Sequence, residues 1–342
     1  MRTMSNHQRL FLVESTQLLD AWRNARQAAM GFRGGMKWVK SGGNEYLVRL
    51  TDSRGNGKSL GKRGDETEKV HRLFLAGRAA AIERYESLSG RIKEQARLNK
   101  AIGLGRLPRA VANILSALDD RAALQDFRVI GIHALFAYEA MAGVFCMQDL
   151  LASGDVDLLY DPRKKLSLVA SKLDGRGLMR LLQSVDKTFA PIKSGGFRAV
   201  NNDGFMVDLI VPVTDMRGGR RVSFAEGDLV ASEVPGLQWL CNAPAIQSAV
   251  IAENGVPLLV NAPDPRAFAI HKAWLSGQPD RDPVKKQRDL AQAIMMLSML
   301  RHYLPQFPLE QEHLRYLPKD LISRFAEVAR EESEIELPAL RL

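Results

Sequence analysis

Two aspartates, Asp155 and Asp157, stand one residue apart in the run G-D-V-D-L-L-Y, and no other stretch restricts the chain as much. The apolar residues around them read as a strand, and side chains two apart on a strand share a face. Both carboxylates therefore point the same way. Like charges at that spacing repel, and apolar surroundings strengthen the repulsion. A divalent cation is the usual relief. Just upstream, Val129 and Ile130 read as a short strand, Gly131 as a turn, and His133 to about Leu150 as a helix.

A third acid lies in F-M-V-D-L-I-V, residues 205–211. Phe205, Val207, Leu209 and Val211 face one side of that strand, and Met206, Asp208 and Ile210 the other. An unpaired buried carboxylate costs several kcal/mol or takes up a proton. The preceding Asn-Asp-Gly marks a hairpin over 197–212. If this strand neighbours the first, Asp208 falls beside Asp155 and Asp157. Three converging carboxylates suit a two-metal site, with ions about 3.5–4 Å apart, for in-line phosphoryl transfer.

Length and charge narrow the class. With 342 residues the chain has room for two or three domains. Its two cysteines, Cys146 and Cys241, sit in apolar surroundings, so no disulfide framework is expected and a reducing cytoplasm fits. The opening M-R-T-M-S-N-H-Q-R-L lacks a signal-peptide apolar region. The most apolar run, Val129–Phe145, holds His133 and Glu139 and is too short for a membrane span. Residues 1–118 carry 22 Lys+Arg against 10 Asp+Glu, whereas the remainder carries 26 against 29. The whole basic excess lies in the first third, a footprint that suits RNA or another nucleic acid.

Periodicity predicts a helix from about Ser5 to Met30, then strands at Met36–Lys40, Glu45–Leu50 and about Lys58–Lys62 split by glycine-rich turns. A long helix follows to about Lys100, with Asp65 as its N-cap, and another spans about Pro108–Asp120. Strands and helices alternate over 127–262, with a strand expected at Leu166–Ala170 and a helix at Arg176–Lys187. Further apolar pieces lie at Leu237–Cys241, Ala249–Ile251 and Pro257–Val260. The basic R-G-G-R-R segment reads as a mobile loop. Helices are expected again at about 265–276, 283–303 and 319–332. The expected division is 1–118, 119–262 and 263–342.

The order strand, glycine turn, helix, D-x-D and later strand Asp resembles the nucleotidyltransferase superfamily of DNA polymerase β. It is most similar to minimal bacterial nucleotidyltransferases, including abortive-infection toxin types, and to a nucleotidyltransferase-like family with an N-terminal extension. The resemblance covers roughly residues 125–300. It implies an α+β fold, a mixed-sheet palm flanked by an N-terminal helical and β-ribbon region and a C-terminal helical region. It also implies a cytoplasmic, metal-dependent enzyme that takes an NTP as substrate and two Mg²⁺ ions, or Mn²⁺ in their place. Asp155 and Asp157 would bind both ions, and Asp208 one. Gly131 and His133 would form the phosphate turn, where Gly131-Ile132-His133 replaces the family's Gly-Ser or Gly-Gly. In the C-terminal segment, Lys272 would reach the nucleotide phosphates, with Arg281, Lys285 or Lys286 assisting and Asp289 orienting one of them.

The acceptor implied is a hydroxyl of an RNA 3′ end, a protein or a small molecule, with RNA mildly favoured by the basic N-terminal third. The rival reading is a non-catalytic nucleic-acid-binding or toxin–antitoxin partner protein on a degenerate fold of the same kind. In the ribbon, Lys58, Lys62, Arg63 and Arg49 interleave with Trp38 and Tyr46 and suit nucleic-acid contact by charge and stacking, as well as a plain solvated hairpin. His133, His271 and Glu139 suit packing roles better than catalytic ones.

Overall fold

The computed structural model describes residues 1–51, 55–147, 150–151, 153–213 and 221–333. After β1 (Arg2–Thr3), a Ser5–Gln8 capping box starts the 26-residue α1 (Asn6–Gly31). Strands β2 (Met36–Ser41), β3 (Asn44–Leu50) and β4 (Gly57–Lys62) form an antiparallel ribbon, and α2 (Asp65–Ala101) returns alongside α1. Contacts between Ser15 and Asn99, Trp22 and Ser89, and Phe32 and Phe74 run in opposite chain directions, so the two helices are antiparallel. The N-cap of α2 is Gly64, one residue before the expected Asp65, because the Gly64 N–H donates to Thr67 Oγ1.

The ribbon's candidate contact residues divide. Arg49 donates to the carbonyls of Gly31, Arg33, Gly35 and Leu50 and lies over the Phe74 ring. Arg63 pairs with Glu45 and Glu68 and lies over Trp38, whose ring also meets His71. Those groups hold the ribbon to α2. Lys58 and Lys62 stay exposed.

From α3 (Arg109–Asp120) the chain enters β5 (Phe127–Ile130), a 3-10 turn at Gly131–Ala134, α4 (Leu135–Ala142) and β6 (Val144–Phe145). The helix expected to reach Leu150 stops here because Gly143 turns left-handed at φ +63°. Next come β7 (Asp155–Tyr160), α5 (Leu166–Lys172), α6 (Gly177–Val185), β8 (Ala190–Pro191), β9 (Arg198–Val200), β10 (Met206–Pro212), β11 (Ser232–Val234) and α7 (Leu237–Asn242). The hairpin β12 (Ala245–Ile251) and β13 (Pro257–Pro263) precedes α8 (Pro265–Ser276), α9 (Pro283–Tyr303) and α10 (Lys319–Ser333).

The strand expected at Leu166–Ala170 is a helix, and so is the apolar piece at Leu237–Cys241. In α5, Val169 and Leu173 are buried and Leu166 is half-buried, a spacing of three and four that a helix satisfies. In α7, Leu237, Leu240 and Cys241 are buried while Gln238 is exposed, the same period. Most of the R-G-G-R-R segment lies outside the described residues.

The fold is mixed α and β, with a mixed sheet at its centre. Its strand order is β5-β7-β10-β9-β8, with β11 also pairing β10. The β7–β10 and β10–β11 pairs are parallel and the others antiparallel. Val156, Leu158, Val207 and Leu209 face the main core with Leu178, Leu181 and Leu182 of α6. The opposite face carries Asp155, Asp157 and Asp208 and continues into a smaller apolar cluster of Ile130, Leu159, Ile210, Leu237 and Leu240. Among the described residues no helix is long and apolar enough to cross a membrane.

Candidate active site

The acid-bearing face is assembled by strand register. Asp208 is the Cα partner of Asp157 in the parallel pair, and Ile130 is the partner of Asp157 in the antiparallel pair on its other side. Gly131, directly after Ile130, has φ +68°, and a Cβ there would lie 2.7 Å from Asp157 Oδ2. Only glycine meets both demands without strain. The turn and the carboxylate are thus in direct apposition.

Asp157 is raised to about 7, first by burial and then by the negative charges of Asp155 and Asp208, with Lys272 and Arg198 opposing. Asp155 accepts a hydrogen bond from Ser153 Oγ. Both oxygens of the buried Asp208 are taken by Arg198, which is its Cα partner on β9. Nε lies 2.6 Å from Oδ1 and Nη2 lies 2.6 Å from Oδ2. Hydrogen bonding to Asp208 raises the Arg198 guanidinium above its ordinary value. Arg198 was missed in the sequence, although the Asn-Asp-Gly hairpin carries the signal. Antiparallel partners sit symmetrically about the turn, so Asp208 falls opposite Arg198 as Met206 falls opposite Val200.

The facing wall comes from α8 and α9. Lys272 Nζ lies 2.7 Å from Asp289 Oδ1, and Arg281 Nε lies 2.9 Å from Asp289 Oδ2. Asp289 is fully buried and holds both cations. Burial pulls the Lys272 ammonium down, and Asp289 partly restores it. Gly131, Asp157, Asp208, His271, Lys272 and Arg281 all line one cavity of about 230 Å³. Its remaining walls include Ile130, Ile210, Leu237 and Phe268.

Asp155 is not in that lining, and three further candidates also stand apart from it. His133 is buried, with Nε2 unpartnered, and burial pushes it down to about 4 against the charge of Asp155. Lys285 is exposed in the first turn of α9, and Lys286 Nζ meets the Pro279 carbonyl at 3.3 Å. None of the three lines the cavity. His271 lines it, is stacked on Trp274, and has Nδ1 without a partner. Burial pushes it down to about 3, so its ring is neutral. Glu139 is buried and paired with Arg106 at 2.9 Å, a packing role.

A family model described as Nucleotidyltransferase matches residues 109–317, well over half of the chain. The chain belongs to this nucleotidyltransferase family. Neither the curated proteins nor the solved structures yielded a match. The matched span of the nucleotidyltransferase runs from α3 to just before α10 and takes in every residue of the cavity. It leaves out α1, the ribbon and α2.

The donor set of this nucleotidyltransferase fits a divalent cation in part. Carboxylate oxygens are the hard ligands that Mg²⁺ prefers, and Asp157 is raised by burial first and then by the charges of Asp155 and Asp208. Yet among the described residues no three His, Cys, Asp or Glu side chains are gathered closely enough to hold a metal ion. Asp155 and Asp157 share a strand face, whereas the oxygens of Asp208 are committed to Arg198.

Proposed function

We propose that the protein transfers a nucleoside monophosphate from an NTP to an acceptor hydroxyl, with Mg²⁺ or Mn²⁺ as cofactor and RNA as the favoured acceptor. One observation carries this reading. The carboxylates of Asp157 and Asp208 and the cations Lys272 and Arg281 line the same cavity. A triphosphate with its metal needs both signs of charge within reach.

In this reading Asp155, Asp157 and Asp208 would hold the metal, which would supply charge neutralisation at the reacting phosphate. Lys272 and Arg281 donate to the phosphate oxygens, Lys272 as a point charge and Arg281 as a planar fork. Backbone N–H groups of the turn after Gly131 add donors. The acceptor oxygen bonds to the α-phosphorus, and the bond from that phosphorus to the bridging oxygen breaks. Pyrophosphate leaves, and the acceptor proton passes to an Asp208 oxygen. The apolar walls exclude water, which would compete as acceptor. Catalysis rests on positioning and charge rather than a covalent enzyme intermediate. The basic N-terminal hairpin, with exposed Lys58 and Lys62, supplies the acceptor contact.

A second reading has its own support. The bidentate Arg198–Asp208 pair and the burial of His133 at the phosphate turn are what a non-catalytic nucleic-acid-binding or toxin–antitoxin partner protein on this fold would tolerate. Calorimetric titration with each NTP, with and without Mg²⁺, separates the two. The transfer reading expects metal-dependent nucleotide binding, and its absence supports the second.

A further inference from the structure

Four cations surround a second, larger cavity that shares no residue with the first. Arg121 just after α3, Arg176 just before α6, Arg180 within it and Lys187 just past its end line about 550 Å³. The only carboxylate in that lining is Asp174, which lies 3.6 Å from Arg121. Arg176, Arg180 and Lys187 are exposed and form no ion pair with any described residue. Only Arg180 lies within α6, and Arg176 and Lys187 flank its two ends around the same opening. The α6 N-terminus contributes little, because Asp228 already accepts from Leu178 N at 2.8 Å and Met179 N at 2.7 Å. What the groove offers is unspent side-chain charge around one opening.

The groove also has a meaningful position. Helix α6 packs on the sheet face opposite the acids. Just before Lys187, Asp186 accepts from Asn201 Nδ2 at 2.9 Å, at the turn between β9 and β10. Met206, which opens β10, is the register partner of Asp155. The Lys187 end of the groove therefore meets the sheet at the end where Asp155 stands.

We propose that this groove binds the phosphodiester backbone of a single-stranded nucleic acid, with successive phosphates meeting Arg176, Arg180 and Lys187. Guanidinium forks match phosphate oxygens in pairs. A strand lying there leaves the groove at the acid-bearing end of the sheet. The binding requires neither NTP nor metal, so it stands or falls independently of the transfer reading.

The test is fluorescence anisotropy of a labelled single-stranded RNA, and of DNA of the same sequence, across a salt series without NTP or metal. Replacing Arg176, Arg180 and Lys187 together by Gln removes three phosphate contacts. The slope of log affinity against log salt should then become shallower by about 2, at roughly 0.7 per phosphate. The exposed Lys319→Gln variant should leave the slope unchanged, and matching melting temperatures establish that the triple variant is folded. Loss in either the RNA or the DNA arm supports the proposal, and the tighter wild-type arm names the sugar. Wild-type protein that binds neither strand overturns it, as does a triple variant with unchanged slope and affinity. It is equally overturned if the triple variant loses binding only to anionic phospholipid vesicles and keeps strand binding.

Discussion

Arg198 grips Asp208 with two parallel hydrogen bonds of 2.6 Å, one to each carboxylate oxygen, across the β9–β10 pair. The pair withholds from Asp157 the third carboxylate that strand register sets beside it. Arg198 and a metal ion are competitors for the same oxygens. In Arg198→Gln, Asp208 is freed and one local positive charge is lost, so Mn²⁺ and Mg²⁺ should bind more tightly. The metal-free protein should lose roughly 1–3 kcal/mol, below the figure for a fully buried pair because the Arg198 side chain is 34% exposed. Thermal melts across a metal titration read both effects. A smaller metal-induced rise in Tm than in the wild type would contradict the competition.

Asp157 makes stability depend on pH in a direction that identifies the site. Its folded value is about 7, against about 3.9 for an unfolded aspartate. Between those values the folded chain keeps a proton that the unfolded chain has released. Metal-free stability therefore falls as pH rises from about 4 to 7 and levels off above. Asp157→Asn removes this dependence, and at pH 8 it should be more stable than the wild type by a few kcal/mol, at roughly 1.4 kcal/mol per pH unit. Urea unfolding at several pH values checks it. Parallel wild-type and variant curves would show that the folded Asp157 carboxyl is not raised.

Lys272 and Arg281 share Asp289, so removing that carboxylate strips both of their anchor. Asp289→Asn leaves the Lys272 ammonium buried and unpaired, and should cost about 3–5 kcal/mol. Replacing the pair together, as Lys272→Met with Asp289→Leu, should recover most of that stability, because an apolar pair of similar volume is often neutral. NTP binding should stay weak in both variants. Recovery of nucleotide affinity along with stability in the double variant would remove Lys272 from the phosphate site.

The sequence disclosed the site's acids better than its cations. Strict alternation in 205–211 sets Asp208 on the same face as Met206 and Ile210, but its place beside Asp157 depends on strand pairing that the structure supplies. Arg198 escaped notice because its partner is set by hairpin symmetry rather than by a motif. Among the basic residues of the C-terminal segment, helical spacing alone does not discriminate. Lys285 and Lys286 lie four and three residues before Asp289 on α9, yet Asp289 turns to Lys272 on α8 and to Arg281 in the connection. That choice is made by the packing of two helices. The α5 segment was misread because a run of five apolar-rich residues carries too little period to separate strand from helix.

In the proposed function the carboxylates around Asp157 carry nucleotidyl transfer. The most direct measurement is incubation of the protein with NTPs labelled at the α-phosphate, Mg²⁺ and total cell RNA, comparing wild type with Asp155→Asn and Asp157→Asn. The account predicts label in RNA with the wild type, and background with both variants although they melt no lower than the wild type. Equal labelling by either folded variant would contradict it.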